Sequence, residues 1–264
     1  MAARVLHVSD LHVGAHDAAE VTDALRRLTQ ELGPELVVAT GDLTNRGRRS
    51  EHERAHALLT SLGPPVLAVP GNHDLPYSFP RRFTLPWLEF ERVWETTRPT
   101  YSSPTLQVVG LNSARPYRHQ SGGIDEAQLR AASDRLGAAG PGAFRVVALH
   151  HHMVGAPWRA ARKRPLARRD EVLRTLASAG ASLVVAGHIH QAAVSERRDF
   201  EVVDAKAAPI VISIAPGLGQ PRPHRSGEAR GLHVYDVDDS ELRVRTYIWV
   251  GGAWKPTAAR AFVR

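Results

Sequence analysis

Val5-Leu-His-Val-Ser-Asp-Leu-His12 begins as an apolar run and ends on a carboxylate and an imidazole two residues apart. The same transition recurs four times: Leu36-Val-Val-Ala-Thr-Gly-Asp42, Val66-Leu-Ala-Val-Pro-Gly-Asn-His-Asp74, Phe144-Arg-Val-Val-Ala-Leu-His-His-His152 and Leu183-Val-Val-Ala-Gly-His-Ile-His190. Short runs of Val, Leu and Ala bounded by Gly or Pro read as buried strands. Amphipathic segments lie between them, the pattern of βα units around a largely parallel sheet. In such a sheet the carboxyl ends of the strands share one edge, where ligands bind, so the five polar clusters are predicted to converge.

Working outward, Asp17-Ala-Ala-Glu20 and Ser50-Glu-His-Glu53 have the form of capping boxes, opening helices that end near Gly33 and Gly63. Val21, Ala24, Leu25, Leu28 and Leu32 give the first helix one apolar face. Two further helices are predicted over Asp125 to Leu136 and Asp170 to Ser178, the second stopped by Gly180. Leu106 to Leu111 adds a strand without a polar cluster. From Phe200 the texture changes: Phe200 to Ala205, Pro209 to Ala215, Gly231 to Val237 and Glu241 to Val250 read as strands, the last two joined by a turn at Asp238-Asp239-Ser240. They imply a second, mainly antiparallel sheet packed on the first. The expected fold is α/β, a four-layer α/β/β/α sandwich of two mixed sheets flanked by helices, with residues 1–264 as a single domain.

The chain has no Cys, which excludes disulfides, thiolate metal sites and Cys nucleophiles and leaves His, Asp, Glu and Asn to carry any metal or acid/base chemistry. Nothing at the N-terminus reads as an export signal and no apolar run is long enough for a membrane span, so a cytoplasmic home without a membrane partner is expected. The net charge of +7 admits an anionic substrate or a nucleic-acid surface, but 31 of the 34 basic residues are Arg, as scattered solvated charge in a biased composition would also give.

Residues two apart in an extended segment point the same way, so Asp10 with His12, and His188 with His190, could each present two ligands together. A donor set of carboxylate, imidazole and amide oxygen suits Mn, Fe, Zn, Co or Ni better than Ca or Mg. A carboxylate at Asp42 could bridge two such ions roughly 3.5–4 Å apart. His7, inside the first strand, is expected to be a satisfied core residue and not a ligand.

Taken in order, Asp10-Leu-His12, Gly41-Asp42, Gly71-Asn-His-Asp74, a strand-terminal His and Gly187-His-Ile-His190 resemble the five-part signature of the calcineurin-like metallophosphoesterases, across residues 5 to 190. Size and motif spacing are most similar to the bacterial cyclic-AMP phosphodiesterase branch (class III). The resemblance implies two divalent or trivalent transition-metal ions. Asp10, His12 and His190 would bind one and Asn72, His151 and His188 the other, with Asp42 bridging. His73 would face the scissile phosphate and protonate the leaving alkoxide, oriented by Asp74. The family usually follows its ligand His with one residue and then Pro. Met153 stands at that place here, a register that favours His151 and keeps His150 as the alternative, with His152 packing or meeting solvent.

The implied reaction is hydrolysis of a small phosphodiester, such as a cyclic nucleotide, by attack of a metal-activated hydroxide. Two irregular segments are candidate site walls. Tyr77 to Tyr101 carries Phe79, Arg81, Arg82, Phe83, Trp87, Phe90 and Trp94, which could stack a base or plug the core. Met153 to Arg169 includes Trp158 and six basic residues, Arg159, Arg162, Lys163, Arg164, Arg168 and Arg169, which could track a nucleic-acid backbone or form a solvated loop. A nuclease is therefore the alternative enzyme. A non-catalytic nucleic-acid-binding module is disfavoured, because every ligand position holds a competent residue.

Overall fold

The computed structural model describes residues 3–15, 19–118, 120–154, 163–200, 209–220 and 228–264. The apolar runs form β1 (Ala3–Val8), β2 (Leu36–Thr40), β3 (Val66–Val69), β5 (Leu106–Gly110), β6 (Phe144–Ala148), β7 (Leu183–Ala186), β9 (Val211–Ile214), β10 (Gly231–Val237) and β11 (Glu241–Val250). The predicted helices are α1 (Ala19–Leu32), α2 (Arg49–Thr60), α5 (Glu126–Gly137) and α6 (Arg169–Ser178). Asp125 caps α5 by accepting from the Gln128 amide at 2.9 Å. In α2 the cap is set two residues earlier than expected: Arg48 is the N-cap and Glu51 accepts from the Arg46 and Arg48 amides. Asp17 of the first expected capping box and nearly all of the strand expected at Phe200 to Ala205 lie outside the described residues.

Five elements carry no clear apolar period. The short helices α3 (Arg81–Thr84) and α4 (Leu88–Trp94) lie within the segment read as irregular. Strands β4 (Thr100–Ser102) and β8 (Ala193–Glu196) are short, largely polar edge strands. β12 (Ala253–Val263) is exposed along most of its length and contains Pro256, which an edge strand tolerates because one row of its backbone groups is unpaired. The ladder to β11 shifts register between Thr246 and Tyr247, at the residue facing Pro256.

The strands form two six-stranded mixed sheets, ordered β12-β11-β10-β1-β2-β3 and β4-β5-β6-β7-β9-β8, and with the helices they make an α/β fold of two mixed sheets flanked by helices. One expectation is corrected. The parallel strands are divided between the sheets, β1 to β3 in one and β5, β6, β7 and β9 in the other, and β10–β12 do not form a sheet of their own. They extend the first sheet through antiparallel pairing of β10 with β1.

Alternation along each strand separates three apolar layers. Val5, Val38, Val69, Val108, Val146 and Val185 meet between the sheets. Leu6, Val8, Val37 and Ala39 face α1, α2 and α4, while Val109, Val147 and Val184 face α5 and α6. Burying each such side chain contributes about 1.5–3 kcal/mol. His7 is a core residue as expected: it is buried, with Tyr235 Oη and Thr40 Oγ1 each 2.8 Å from a ring nitrogen. Packing the sheets face to face brings the carboxyl ends of β1, β2 and β3 beside those of β6 and β7.

Candidate metal centre

The polar clusters begin where each strand stops, and there the chain bends. Asp10, His12, Asp42, His188 and His190 all have positive φ, between 49° and 74°, a left-handed region that L-residues rarely occupy. The pairs Asp10/His12 and His188/His190 are therefore not presented by an extended segment, as the sequence suggested, but by consecutive left-handed bends. Each such residue costs of order 1 kcal/mol or more. Crossing hydrogen bonds offset this: the amides of Asp10, His12 and His73 donate to Gly41 O, Asp42 O and Asp42 Oδ1 at 2.8–2.9 Å, and His188 N donates to Asp10 Oδ2 at 2.9 Å. At Gly71 a Cβ would stand 2.3 Å from the Asp42 amide nitrogen, so only glycine lets the β2 and β3 ends approach this closely.

The donors form two adjoining groups that share Asp42. In the first, His190 Nε2 is 3.2 Å from Asp10 Oδ1 and 3.3 Å from His12 Nε2, which is 3.9 Å from Asp42 Oδ2. In the second, His150 Nε2 is 3.4 Å from Asp42 Oδ1, 3.2 Å from Asn72 Oδ1 and 3.1 Å from His188 Nδ1. Six of the seven ligands named from the sequence thus lie in these two groups, and His150 joins them. His151 adjoins His150 and His188 in a further cluster of donor atoms. Its Nδ1 is 2.9 Å from Ser113 Oγ, and its Nε2 is buried without a hydrogen-bond partner.

Backbone carbonyls fix two tautomers, because a carbonyl only accepts. His150 Nδ1 faces Thr40 O at 2.7 Å and His188 Nε2 faces Gln120 O at 3.2 Å. Those nitrogens carry hydrogens, and the lone pairs of His150 Nε2 and His188 Nδ1 point into the cluster when the rings are neutral.

The electrostatics call for positive charge. Burial alone would raise the Asp10 and Asp42 carboxyls, yet His190 beside Asp10 and His150 beside Asp42 hold both well below the ordinary range. Burial works against a charge on His150, but the Asp42 carboxylate outweighs it and lifts this imidazole to about 9. Burial pushes His12 down to about 4 and lowers His151 and His188 well below the usual value. Neutral imidazoles at His12, His151 and His188 and one protonated imidazole at His150, around two ionised carboxylates, are a donor set suited to a cation that takes the place of the His150 proton. Asp10 Oδ1, buried without a hydrogen-bond partner, is consistent with the same fit.

His73 stands edge-on to His12, with ring centroids 4.8 Å apart, and joins His12 and Asp42 in one group of donor atoms. The expectation that Asp74 orients it is corrected. The buried Asp74 carboxylate accepts from the Gly71, Leu43 and Thr44 amides and from Thr44 Oγ1, which ties the β3 turn to the β2 turn. His73 Nδ1 instead lies 3.0 Å from Asn45 O and 2.8 Å from Tyr77 Oη. His152 is buried and stacks on His188 with centroids 5.6 Å apart, which is the packing role expected. Asn45, Ser113 and Gln120 went unnoticed in the sequence, since two of them act through carbonyls that every residue possesses. Tyr77 had a signal, as the first aromatic after the Gly71-Asn-His-Asp74 cluster.

Known proteins resemble this chain in sequence and in fold. Residues 3–192 match the model of the calcineurin-like phosphoesterase family. The chain is 24% identical over 221 residues to the 3′,5′-cyclic adenosine monophosphate phosphodiesterase CpdA of Haemophilus influenzae, covering 77% of this chain and 76% of that one. It is 25% identical over 246 residues to a cAMP/cGMP dual specificity phosphodiesterase of Mycobacterium tuberculosis, covering 88% and 76%. Among solved structures, the purple acid phosphatase from yellow lupin (Lupinus luteus) seeds superposes with a TM-score of 0.72 at 12% identity, over all of this chain and 54% of that one, a likeness of fold.

Proposed function

The chain belongs to the calcineurin-like phosphoesterase family, and on that premise we propose that this phosphoric ester hydrolase is a two-metal phosphodiesterase acting on cyclic nucleotides. The observation that carries this reading is the divided Asp42 carboxylate, whose Oδ2 looks to His12 and whose Oδ1 looks to His150. The two relatives named for cyclic-nucleotide hydrolysis, which align over most of the chain, support the substrate. When bound, two transition-metal ions from the set Mn, Fe, Zn, Co and Ni supply charge neutralisation at the phosphate and lower the pKa of their water towards 7. Asp10, His12 and His190 with Asp42 would hold one ion, and Asn72, His150 and His188 with Asp42 would hold the other. His73 stabilises phosphate charge and delivers a proton from its ring to the departing ester oxygen, while Asn45 O and Tyr77 Oη steady the opposite side of the imidazole. A cytoplasmic home is part of the same reading.

His150 replaces the His151 of the sequence register in this assignment. What supports it is the Thr40 carbonyl on Nδ1 and the approach of Nε2 to both Asp42 and Asn72. Elemental analysis of purified variants is expected to find about one metal equivalent fewer in His150→Ala and both retained in His151→Ala. The reverse result returns the ligand role to His151.

Nothing favours the nuclease alternative over this reading. Arg159 and Arg162 lie outside the described residues, as does Trp158. Of the rest of the run, Arg164 is exposed, while the Lys163 ammonium donates to His188 O, Arg168 pairs with Glu171 and Glu126, and Arg169 donates to Met153 O at 3.1 Å. Side chains already bound to protein partners make a poor track for a phosphate backbone.

Metal-reconstituted protein is expected to hydrolyse cyclic AMP and a chromogenic phosphodiester more efficiently than a phosphomonoester, and to lose at least about a hundredfold in rate after verified chelation. A preference for the monoester would refute the diesterase assignment. Faster cleavage of single-stranded DNA, falling steeply with salt, would establish the nuclease instead.

A further inference from the structure

We infer that Phe79, Phe83 and Tyr117 form a stacking shelf at the rim of the metal centre that receives the planar base of a nucleotide, a role that rests on the phosphodiesterase reading and names the part of the substrate this rim selects. The Phe83 and Tyr117 rings stack with centroids 4.9 Å apart at 28°, and Phe79 meets Phe83 edge-on at 6.2 Å. Phe79 is 84% exposed and Tyr117 80%, whereas Phe90 from the same irregular segment is fully buried, with Trp94 packed beside it over the helix-facing core. The segment therefore divides into a plug, Phe90 and Trp94, and an outward aromatic face. Contiguous exposed aromatics sacrifice burial, and such patches mark places where a ligand or partner completes the packing.

The location favours a ligand of the site itself. Tyr77, two residues before Phe79, reaches His73 with its hydroxyl. The Arg82 guanidinium donates to Pro76 O and Pro116 O, joining the segment that carries Phe79 and Phe83 to the loop that carries Tyr117. That loop is fastened to the metal centre on both sides of Tyr117: Ser113 Oγ meets His151 before it, and Gln120 O meets His188 after it. Three residues from Gln120, the Tyr117 backbone lies within about 11 Å of a carbonyl that touches a candidate ligand. The loop that carries Tyr117 thus adjoins the donor cluster, and a nucleotide whose phosphate sits at that cluster would reach these rings with its base. Stacking accepts any base because every base has a π-face.

Calorimetric titration of metal-loaded protein with AMP and, separately, with inorganic phosphate tests the shelf without relying on turnover. The wild type is expected to bind AMP at least about tenfold more tightly than phosphate. The exposed double variant Phe79→Ala/Tyr117→Ala should lose most of that advantage and keep its phosphate affinity, and Phe79→Trp should preserve it. Equal affinity of the wild type for the two ligands, or unchanged AMP binding by the double variant, would overturn the shelf. So would a self-association that the double variant abolishes while AMP affinity stays the same, since the patch would then join copies of the chain. Absence of cyclic-nucleotide hydrolysis is read separately and bears on the phosphodiesterase reading, not on base binding.

Discussion

Asp42→Ala is expected to strip the protein of both metal ions and to lower phosphodiester turnover by roughly a thousandfold or more. Its carboxylate faces both donor clusters, Oδ2 towards His12 and Oδ1 towards His150. The loss extends to the scaffold, because Oδ1 also accepts from the His73 amide, so truncation frees the turn that carries the proton donor. Removing this negative charge takes away the main group that lifts His150 against the effect of its burial. Asp42→Asn separates charge from shape: it keeps the acceptor oxygen for His73 N and should fold like the wild type while binding metal weakly. Elemental analysis and thermal unfolding, run side by side on both variants, check this. Two metal equivalents and near-normal turnover in Asp42→Ala would remove Asp42 from the bridge.

The site's composition was legible in the sequence because a strand that ends in a parallel sheet delivers whatever follows it to a common edge. That rule brings together the clusters that hold Asp10, His12, Asp42, Asn72, His188 and His190, and the family resemblance singled these residues out within them. The rule held even though the edge belongs to two sheets, since packing β1 to β3 face to face on β6 and β7 aligns their carboxyl ends. The division itself was not legible: buried parallel runs look alike whichever sheet they join, and the pairing of β10 with β1 is a contact across more than 220 residues. β12 was hidden for a different reason, as an exposed edge strand with an internal Pro has no apolar alternation to read.

Orientation was less legible than position. Left-handed backbone at five candidate ligand residues cannot be read from Asp or His, which adopt it only where surrounding hydrogen bonds impose it. The same holds for His150 and His151, adjacent and chemically identical. The Thr40 carbonyl presents His150 Nε2 to Asp42, whereas Ser113 holds His151 by Nδ1 and leaves its Nε2 without a hydrogen-bond partner, and neither Thr40 nor Ser113 has a sequence signature. Asp74 illustrates the converse. Its place beside His73 in sequence suggested a catalytic pair, but a carboxylate surrounded by the amides of Gly71, Leu43 and Thr44 is satisfied by the turns it joins.

His73→Ala is expected to keep both metals and to lose on the order of 10²–10⁴-fold in turnover of cyclic nucleotides, the usual contribution of a positioned general acid. A sugar alkoxide departs badly without a proton, whereas an aryl oxide from a chromogenic diester departs nearly unaided, so the loss on the latter should be much smaller, roughly tenfold or less. Metal retention follows from the geometry, because neither donor group needs the His73 ring to close around Asp42. Tyr77→Phe refines the test. It deletes the hydroxyl 2.8 Å from His73 Nδ1 but leaves the Asn45 carbonyl in place, so it should lower cyclic-nucleotide turnover less than His73→Ala does, without altering metal content. Equal losses on aryl and sugar esters in His73→Ala would confine His73 to stabilising phosphate charge, and loss of a metal equivalent would make it a ligand.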